Sequence, residues 1–362
     1  MRSAPDGTDL RLVQAVDRAR SVTLRRRILE IPLPQGRLAV LTCKRPDGSQ
    51  PRGAVLLVHG FAQNRFSWHQ PERSFANFLV SRGLEIFNLE LPGHGLSREA
   101  GSAPALGFDD YVADLPQIVA RVTEAAGGLR LFTIGHSLGA SILFAAAPEM
   151  PGRLAGLVSL AGLFGVSFGS LGVLDRVAGL GSTVAAISGL SGWRVPVPID
   201  HLGKILLGGM PLFDSRINPV PFLPWRAGGA ERPVIRARVR EGFDRASVGV
   251  GADIFAWAGS GRFTSRDGSV DYGARFAALE DLPLLVVTCD RDKLAAPEIA
   301  RAPYWASRSR DRTLLEFTEA EHGVSIGHLD LICGRHAPRL VWPAIGNWIE
   351  ARLPLDSRPG QG

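Results

Sequence analysis

The sequence predicts an α/β protein built on a mostly parallel, doubly wound sheet with a lid or cap insertion. Short, continuous apolar runs end at glycine or aspartate, as at 54–60 and 282–292, which is typical of strands buried on both faces of a parallel sheet. Amphipathic stretches of helical period follow these runs. Strands that alternate with helices build parallel sheets with helices on both faces.

The elements follow in chain order. Residues 1–26 are predicted to form a polar, partly helical lead-in, and two strands flank the turn Gln35–Gly36. The strands of the parallel sheet are predicted within 54–60, 84–93, 129–135, 154–162, 282–292 and 312–322. Helices are predicted near 72–82, through 111–122, within 137–150, after Pro297 and near 338–352.

The alternation stops in one region, and this defines the expected domain organisation. Residues 1–52 hold the lead-in and first strands, 53–162 the first part of the core, and 281–362 the second part. Between them, 163–280 reads as an irregular insertion rich in Gly, Pro and Trp. We expect this cap or lid to lie over the carboxyl ends of the strands, where α/β sheets bind ligands.

Composition excludes several classes of protein. Hydrophobic residues make up 45% and charged residues 21%, as in soluble globular proteins. The net charge of +6 is scattered, with one run at Arg25–Arg27, so no nucleic-acid partner is expected. The uncharged stretch Leu154–Leu174 is rich in Gly and Ser and is interpreted as a buried strand and apolar loop, not a membrane span. Three widely spaced cysteines and an N-terminus without a signal-peptide core predict a cytoplasmic protein.

Two segments fit the pattern Gly-x-Ser-x-Gly, which can carry an activated serine. Ser137 in Gly135–Gly139 follows a predicted buried strand and precedes a predicted helix, as a nucleophile at a tight turn requires. Ser167 in Gly165–Gly169 has neither context. Ser137 is therefore the candidate nucleophile.

A serine needs a base that is oriented by an acid. Asp290 and Asp292 follow a late predicted strand; Asp292 is preferred because it lies clear of the strand, and Asp290 is the alternate. On the residues alone, either His322 or His328 is a candidate base, since both lie on the loop before the last predicted helix.

The negative charge that forms during acyl transfer needs backbone N–H donors. The expected donors are Leu138, which follows the serine, and Phe61, on the loop after the first parallel strand. His59 and His94 are interpreted as structural residues of strand-end loops.

These motifs resemble the α/β-hydrolase superfamily over roughly 53–162 and 281–352. The segments that carry the resemblance are "VLLVHGFAQNRFSW", "LELPGHGLS", "IGHSLG", "VVTCDRD" and "GHLDL". The C-terminal "EHGVSIGHLDLICGRHAP" resembles the His motif of acid-lipase-like and polyhydroxyalkanoate-synthase-like hydrolases. This implies that His328 is the base and Asp330 supports it. The synthases carry cysteine where this chain has Ser137, so the resemblance implies ester hydrolysis and not polymer synthesis.

The predicted function is hydrolysis of carboxylic esters through an acyl-enzyme on Ser137, with His328 and Asp292, and without metal or cofactor. The apolar insertion favours lipophilic, medium- or long-chain esters and a peripheral contact of the lid with lipid. One alternative is an acyltransferase that uses the same residues. A catalytically silent binding protein is the other.

Overall fold

A computed structural model describes residues 9–165, 196–197 and 225–354, which include a nine-stranded sheet. Its strands are β1 (Leu10–Ala15), β2 (Ser21–Pro32), β3 (Leu38–Pro46), β4 (Gly53–Val58), β7 (Leu84–Glu90), β8 (Leu131–His136), β9 (Gly156–Leu160), β12 (Leu284–Cys289) and β13 (Arg312–Phe317). Two small antiparallel pairs are β5 (His69–Gln70) with β6 (Arg73–Ser74), and β10 (Pro196–Val197) with β11 (Ala246–Ser247).

The described helices connect or cover these strands. They are α1 (Phe75–Ser81), α2 (Gly95–Glu99), α3 (Phe108–Ala125), α4 (Leu138–Ala146), α5 (Arg232–Gly242), α6 (Val248–Ser260), α7 (Tyr272–Ala277), α8 (Pro297–Ala306), α9 (Glu319–His322), α10 (Asp330–Cys333) and α11 (Val341–Glu350). Short 3-10 turns lie at Pro34–Gly36, Arg65–Ser67 and Ala147–Glu149.

The strand order in the main sheet is β1-β2-β3-β7-β4-β8-β9-β12-β13. The pairs from β7 to β13 are parallel, and β1, β2 and β3 form an antiparallel edge. Every residue of β4, β7, β8, β9 and β12 is buried, as expected for strands covered on both faces. The predicted α/β class with a mostly parallel sheet is confirmed.

Helices pack on both faces of this sheet. The side chains of α3, α4 and α7 share one hydrophobic core with the face of the sheet that carries Leu56 and Phe87. Those of α1 and α11 share a second core with the opposite face, which carries Val55 and Leu57. Alternate residues of β4 thus enter different cores, as the period of two along a strand requires.

The predicted partly helical lead-in is wrong over the residues described, because Leu10–Ala15 and Ser21–Pro32 are strands. They pair antiparallel with Leu12 opposite Leu24, and one face of the hairpin meets solvent. Polar residues alternate with apolar ones along such an edge, so the segment looks like a polar lead-in although its pattern has the period of a strand.

The insertion predicted as irregular differs from the structure where residues are described. Between 225 and 280 it contains α5, α6 and α7. The side chains of Ser247 and Asp271 accept hydrogen bonds from the first turns of α6 and α7, and Gly261 ends α6 in the left-handed conformation. These caps start and stop helices in a glycine-rich segment that has weak helical propensity.

Within the described ranges, none of the helices has both the length and the apolarity that crossing a bilayer requires. In the uncharged stretch that starts at Leu154, residues 156–160 are the buried strand β9. Most of the insertion between 166 and 224, including Ser167, lies outside the described residues.

Candidate active site

Ser137 lies at the turn between β8 and α4. Its φ of 55° and ψ of −123° fall in a region that residues with a Cβ atom rarely adopt. The Ser137 N–H donates to the Leu160 carbonyl at 2.9 Å, and the Ser137 carbonyl accepts from the Ala140 N–H at 3.0 Å. The surrounding backbone therefore fixes the strained serine between the strand and the helix.

The two glycines that flank Ser137 are required by space. A Cβ atom at Gly135 would lie 2.4 Å from the Ala140 nitrogen, and one at Gly139 would lie 2.3 Å from the Val58 carbonyl oxygen. Both are backbone atoms that cannot swing away. Helix α4 can therefore approach β8 and β4 closely only because these two positions lack side chains.

Asp292 and His328 form a buried pair. The Nδ1–H of His328 donates to Asp292 Oδ2 at 2.6 Å, and the two side chains are 2% and 0% exposed. The other carboxylate oxygen of Asp292 accepts from the backbone N–H groups of Leu294 and Ala295, both at 2.8 Å. The carboxylate is thus fixed at both oxygens, and it orients the imidazole so that Nε2 is the nitrogen left for a reaction.

Asp330 holds the loop that carries His328. Its Oδ2 accepts from the backbone N–H groups of Gly327 and Arg226, each at 3.0 Å. The side chain is buried, and it joins the loop before α10 to the described end of the insertion. These contacts support the segment around His328.

The loop of His328 lies directly against the turn of Ser137. The rings of His136 and His328 have centroids 4.5 Å apart, and His136 Nε2–H donates to the His328 carbonyl at 3.2 Å. Burial lowers the pKa of His136 well below its usual value, with a smaller contribution from the neighbouring His328. A neutral His136 therefore links the serine turn to the histidine loop.

The alternates Asp290 and His322 contact a different part of the molecule. Asp290 Oδ2 accepts from the Glu319 N–H at 3.0 Å, and His322 Nδ1 accepts from the Thr318 N–H at 3.3 Å. The His322 ring also packs on Phe317, with centroids 5.0 Å apart. Both residues hold the turn that follows β13.

The loop after β4 completes the surroundings of Ser137. A Cβ atom at Gly60 would lie 3.2 Å from Ser137 Cβ, so Phe61 follows a residue that touches the serine. Leu138, the other expected N–H donor, is the first residue of α4. His59 Nε2 accepts from the Leu91 N–H at 3.1 Å, hence its Nδ1–H donates to the Gly60 carbonyl at 3.0 Å and holds this loop.

A polar segment of the insertion clamps the same loop, and sequence reasoning missed it. Arg238 donates to Gln63 Oε1 at 2.8 Å, and the Asn64 side-chain amide donates to the Glu241 carbonyl at 2.7 Å. The Asp244 N–H also donates to the carbonyl of Ala62 at 2.9 Å. The signal in the sequence was the cluster of eight charged residues within 231–245.

Among residues 9–165 and 225–354, no three His, Cys, Asp or Glu side chains converge in a way that would hold a metal ion.

Known proteins resemble this chain in sequence. Residues 49–190 match the family described as serine aminopeptidase, S33. The monoacylglycerol lipase of Mycolicibacterium smegmatis is 25% identical over 69% of this chain and 73% of its own length. The human monoglyceride lipase is 29% identical over 33% of this chain and 37% of its own length.

Solved structures share the fold. A soluble variant of the Saccharomyces cerevisiae monoglyceride lipase, solved with a substrate analogue, superposes with a TM-score of 0.62 at 15% identity, covering 97% of this chain and 100% of the other. The monoacylglycerol lipase of Paleococcus ferrophilus gives a TM-score of 0.56 at 18% identity, covering 84% and 96%. The chain is a lipase-like serine hydrolase of the α/β-hydrolase superfamily.

Proposed function

We propose that this chain hydrolyses carboxylic esters of lipids through an acyl-enzyme on Ser137. The observation that carries the proposal is the buried Asp292–His328 pair on a loop that packs directly against the turn of a strained serine. Residues in rarely populated backbone conformations cluster at active sites, and Ser137 is one of four non-glycine residues with positive φ in the described chain.

In the proposed reaction the Ser137 hydroxyl oxygen attacks the ester carbonyl carbon, and His328 Nε2 takes the hydroxyl proton. Asp292 accepts from the Nδ1–H of the imidazolium, and the N–H groups of Phe61 and Leu138 donate to the oxyanion. His328 then protonates the departing alcohol. Water, deprotonated by His328, attacks the acyl-enzyme, and a carboxylic acid leaves as Ser137 regains its proton.

The proposed substrate class is supported by two observations. Relatives of this chain are monoacylglycerol lipases, and their substrates are esters of fatty acids with glycerol. The described root of the insertion is apolar: Phe164 is buried against Phe144 and Phe276, with ring centroids 5.5 Å and 5.7 Å apart. We therefore propose medium- or long-chain acyl groups. The proposed contact of the lid with a lipid surface concerns residues that lie largely outside those described.

The test is a chain-length series of p-nitrophenyl esters and monoacylglycerols on wild type and Ser137→Ala. We expect kcat/KM to peak at long acyl chains and to fall by about 10⁴-fold or more in the variant. A fluorophosphonate should label wild type and not Ser137→Ala. A peak at acetate would contradict the lipid assignment, and full activity in Ser137→Ala would contradict the nucleophile.

Two further arms separate rival activities. Aminoacyl p-nitroanilides test the peptidase activity that the name of the matched family suggests. Added alcohol tests acyl transfer, because a transferase would pass the acyl group to the alcohol in preference to water. We expect hydrolysis of esters to exceed both reactions.

A further inference from the structure

Arg238 in α5 is a buried cation that has no carboxylate partner within the described part of the chain. The residue is 2% exposed, and its described hydrogen bond is the one from Nη2 to Gln63 Oε1 at 2.8 Å. Its Nε and Nη1 atoms are buried and have no acceptor among the residues that the structure describes. Burial lowers the pKa of its guanidinium to about 10, which still leaves it charged at neutral pH.

The other buried arginines of the described chain differ in this respect. Arg37 donates to both oxygens of Asp114, at 2.7 and 2.9 Å. Arg73 donates to both oxygens of Glu231 at 2.9 Å and to the carbonyl of Gly334 at 2.7 Å. A buried charge without such a partner destabilises the folded state. Stability therefore does not explain why this buried position is an arginine.

The location of Arg238 points to a role in the reaction. Its partner Gln63 lies on the loop after β4, and the Gln63 Cδ atom is 3.4 Å from where a Cβ atom of Gly60 would lie. That same point is 3.2 Å from Ser137 Cβ. The guanidinium therefore reaches, through a single side chain, the loop whose residue Gly60 lies against the serine.

The other described groups around Gln63 do not balance the positive charge of the Arg238 guanidinium. Gln63 Oε1 also accepts from the Ser67 hydroxyl at 2.8 Å, which is neutral. The neighbours His59 and His136 are neutral because burial lowers the pKa of each, and the positive charge of Arg238 lowers both pKa values further. Among the residues that the structure describes, no ion pair compensates the positive charge of Arg238.

We propose that Arg238 is a positioning residue of the oxyanion hole: it fixes the loop through Gln63, and its charge is balanced only when the oxyanion forms. The inference rests on the proposed acyl-transfer function. A fixed positive charge in a region of low dielectric stabilises negative charge that develops nearby in the transition state, and it does so without further reorganisation. The enzyme is then less stable at rest and faster in the reaction.

The first test is Arg238→Met, with Arg37→Met as the matched control for loss of a buried arginine far from the site. We expect kcat to fall about tenfold or more with KM changed less than about twofold, since the lost interaction acts only in the transition state. We expect Tm to rise in Arg238→Met, because an unpaired buried charge is removed, and to fall in Arg37→Met, because Asp114 loses its partner.

The second test keeps the guanidinium and neutralises its field. Gln63→Glu has nearly the same shape as wild type and gives Arg238 a carboxylate partner. We expect Tm to rise or hold and kcat to fall about tenfold or more, with a parallel loss of affinity for an alkylboronic acid, which binds serine as a tetrahedral anion. Arg238→Lys should recover part of the kcat lost in Arg238→Met.

A purely structural arginine would give the opposite pattern. Full kcat in Gln63→Glu, or a lower Tm with unchanged kcat in Arg238→Met, would overturn the inference. These results are distinct from a failure of the proposed function, in which wild type itself lacks esterase activity or Ser137→Ala retains it.

Discussion

Two aspartate–histidine combinations lie on the same two loops of this protein, and they have different environments. Asp292 and His328 bond to each other with side chains that are 0% and 2% exposed. Asp290 is 25% exposed and, like His322, bonds to backbone N–H groups of the turn after β13. Residue type and chain order are the same in both combinations. Burial and backbone partners thus distinguish the pair that we propose to be reactive from the pair that holds a turn. The two aspartates are only two residues apart in the chain, and the two histidines are six apart.

The largest change in kcat is expected at His328, and the same substitution at His322 is its comparison. His328→Ala should lower kcat by about 10⁵- to 10⁶-fold, since no other group would then take the serine proton. His322→Ala should leave kcat within about threefold and cost about 1 kcal/mol of stability, because only the hydrogen bond from Thr318 and the packing on Phe317 are lost. Steady-state kinetics and urea unfolding of both variants measure this. Equal losses of kcat would remove the distinction between the histidines.

The next largest change in kcat is expected when each of the two aspartates is replaced by asparagine, which has nearly the same shape. Asp292→Asn should lower kcat by about 10⁴-fold, because an amide neither holds the neutral imidazole in the required tautomer nor stabilises the imidazolium by its charge. Asp290→Asn keeps a carbonyl oxygen that accepts from the Glu319 N–H, so its kinetics should match wild type. A kcat reduced more by Asp290→Asn than by Asp292→Asn would reverse the assignment.

The smallest expected change is in the pH dependence of the free energy of unfolding, and it concerns another buried histidine, His94. Burial lowers the pKa of His94 from the model-peptide value of 6.5 to about 4. The unfolded chain therefore binds a proton below about pH 6.5 that the folded chain does not bind. The free energy of unfolding should therefore decrease as the pH is lowered from about 6.5 to about 4, by up to about 1.4 kcal/mol per pH unit for this residue.

The measurement is urea unfolding of wild type and His94→Gln at a series of pH values. The difference between the two proteins is the informative quantity, because burial raises the pKa of Glu90 and this acts in the opposite direction. The variant should lose less stability than wild type as the pH falls. A parallel pair of curves would show that His94 contributes nothing to the pH dependence.

Much of the core was predictable because the signals are local. A buried strand, a glycine on each side of Ser137 and an apolar helix follow one another within one segment, and backbone collisions at Gly135 and Gly139 explain why the pattern is so restrictive. The late strand β12 and the loop of Asp292 are equally visible as an apolar run ending in aspartates. Such features depend on neighbours in the chain.

What escaped prediction depends on partners far away in the chain. The hairpin of β1 and β2 is a strand pair only because β3 continues the sheet, and its exposed face gives it a polar sequence. The clamp on the loop after β4 joins Gln63 to Arg238 and Asn64 to Glu241. The strand period of the hairpin does not reveal which strand it pairs with, and no local pattern in 62–64 or 238–244 encodes the clamp, because these two segments meet only in the folded chain.

The clamp also has a consequence for protein engineering. Residues 62–64 and 238–244 exchange side-chain and backbone hydrogen bonds although residues 65–237 separate them in the chain. A cap transplanted from a relative to change substrate preference would therefore bring a foreign partner to the loop beside Ser137. The exchangeable unit is the cap together with that short loop, and chimaeras that divide the two are expected to fold with a misaligned reaction centre.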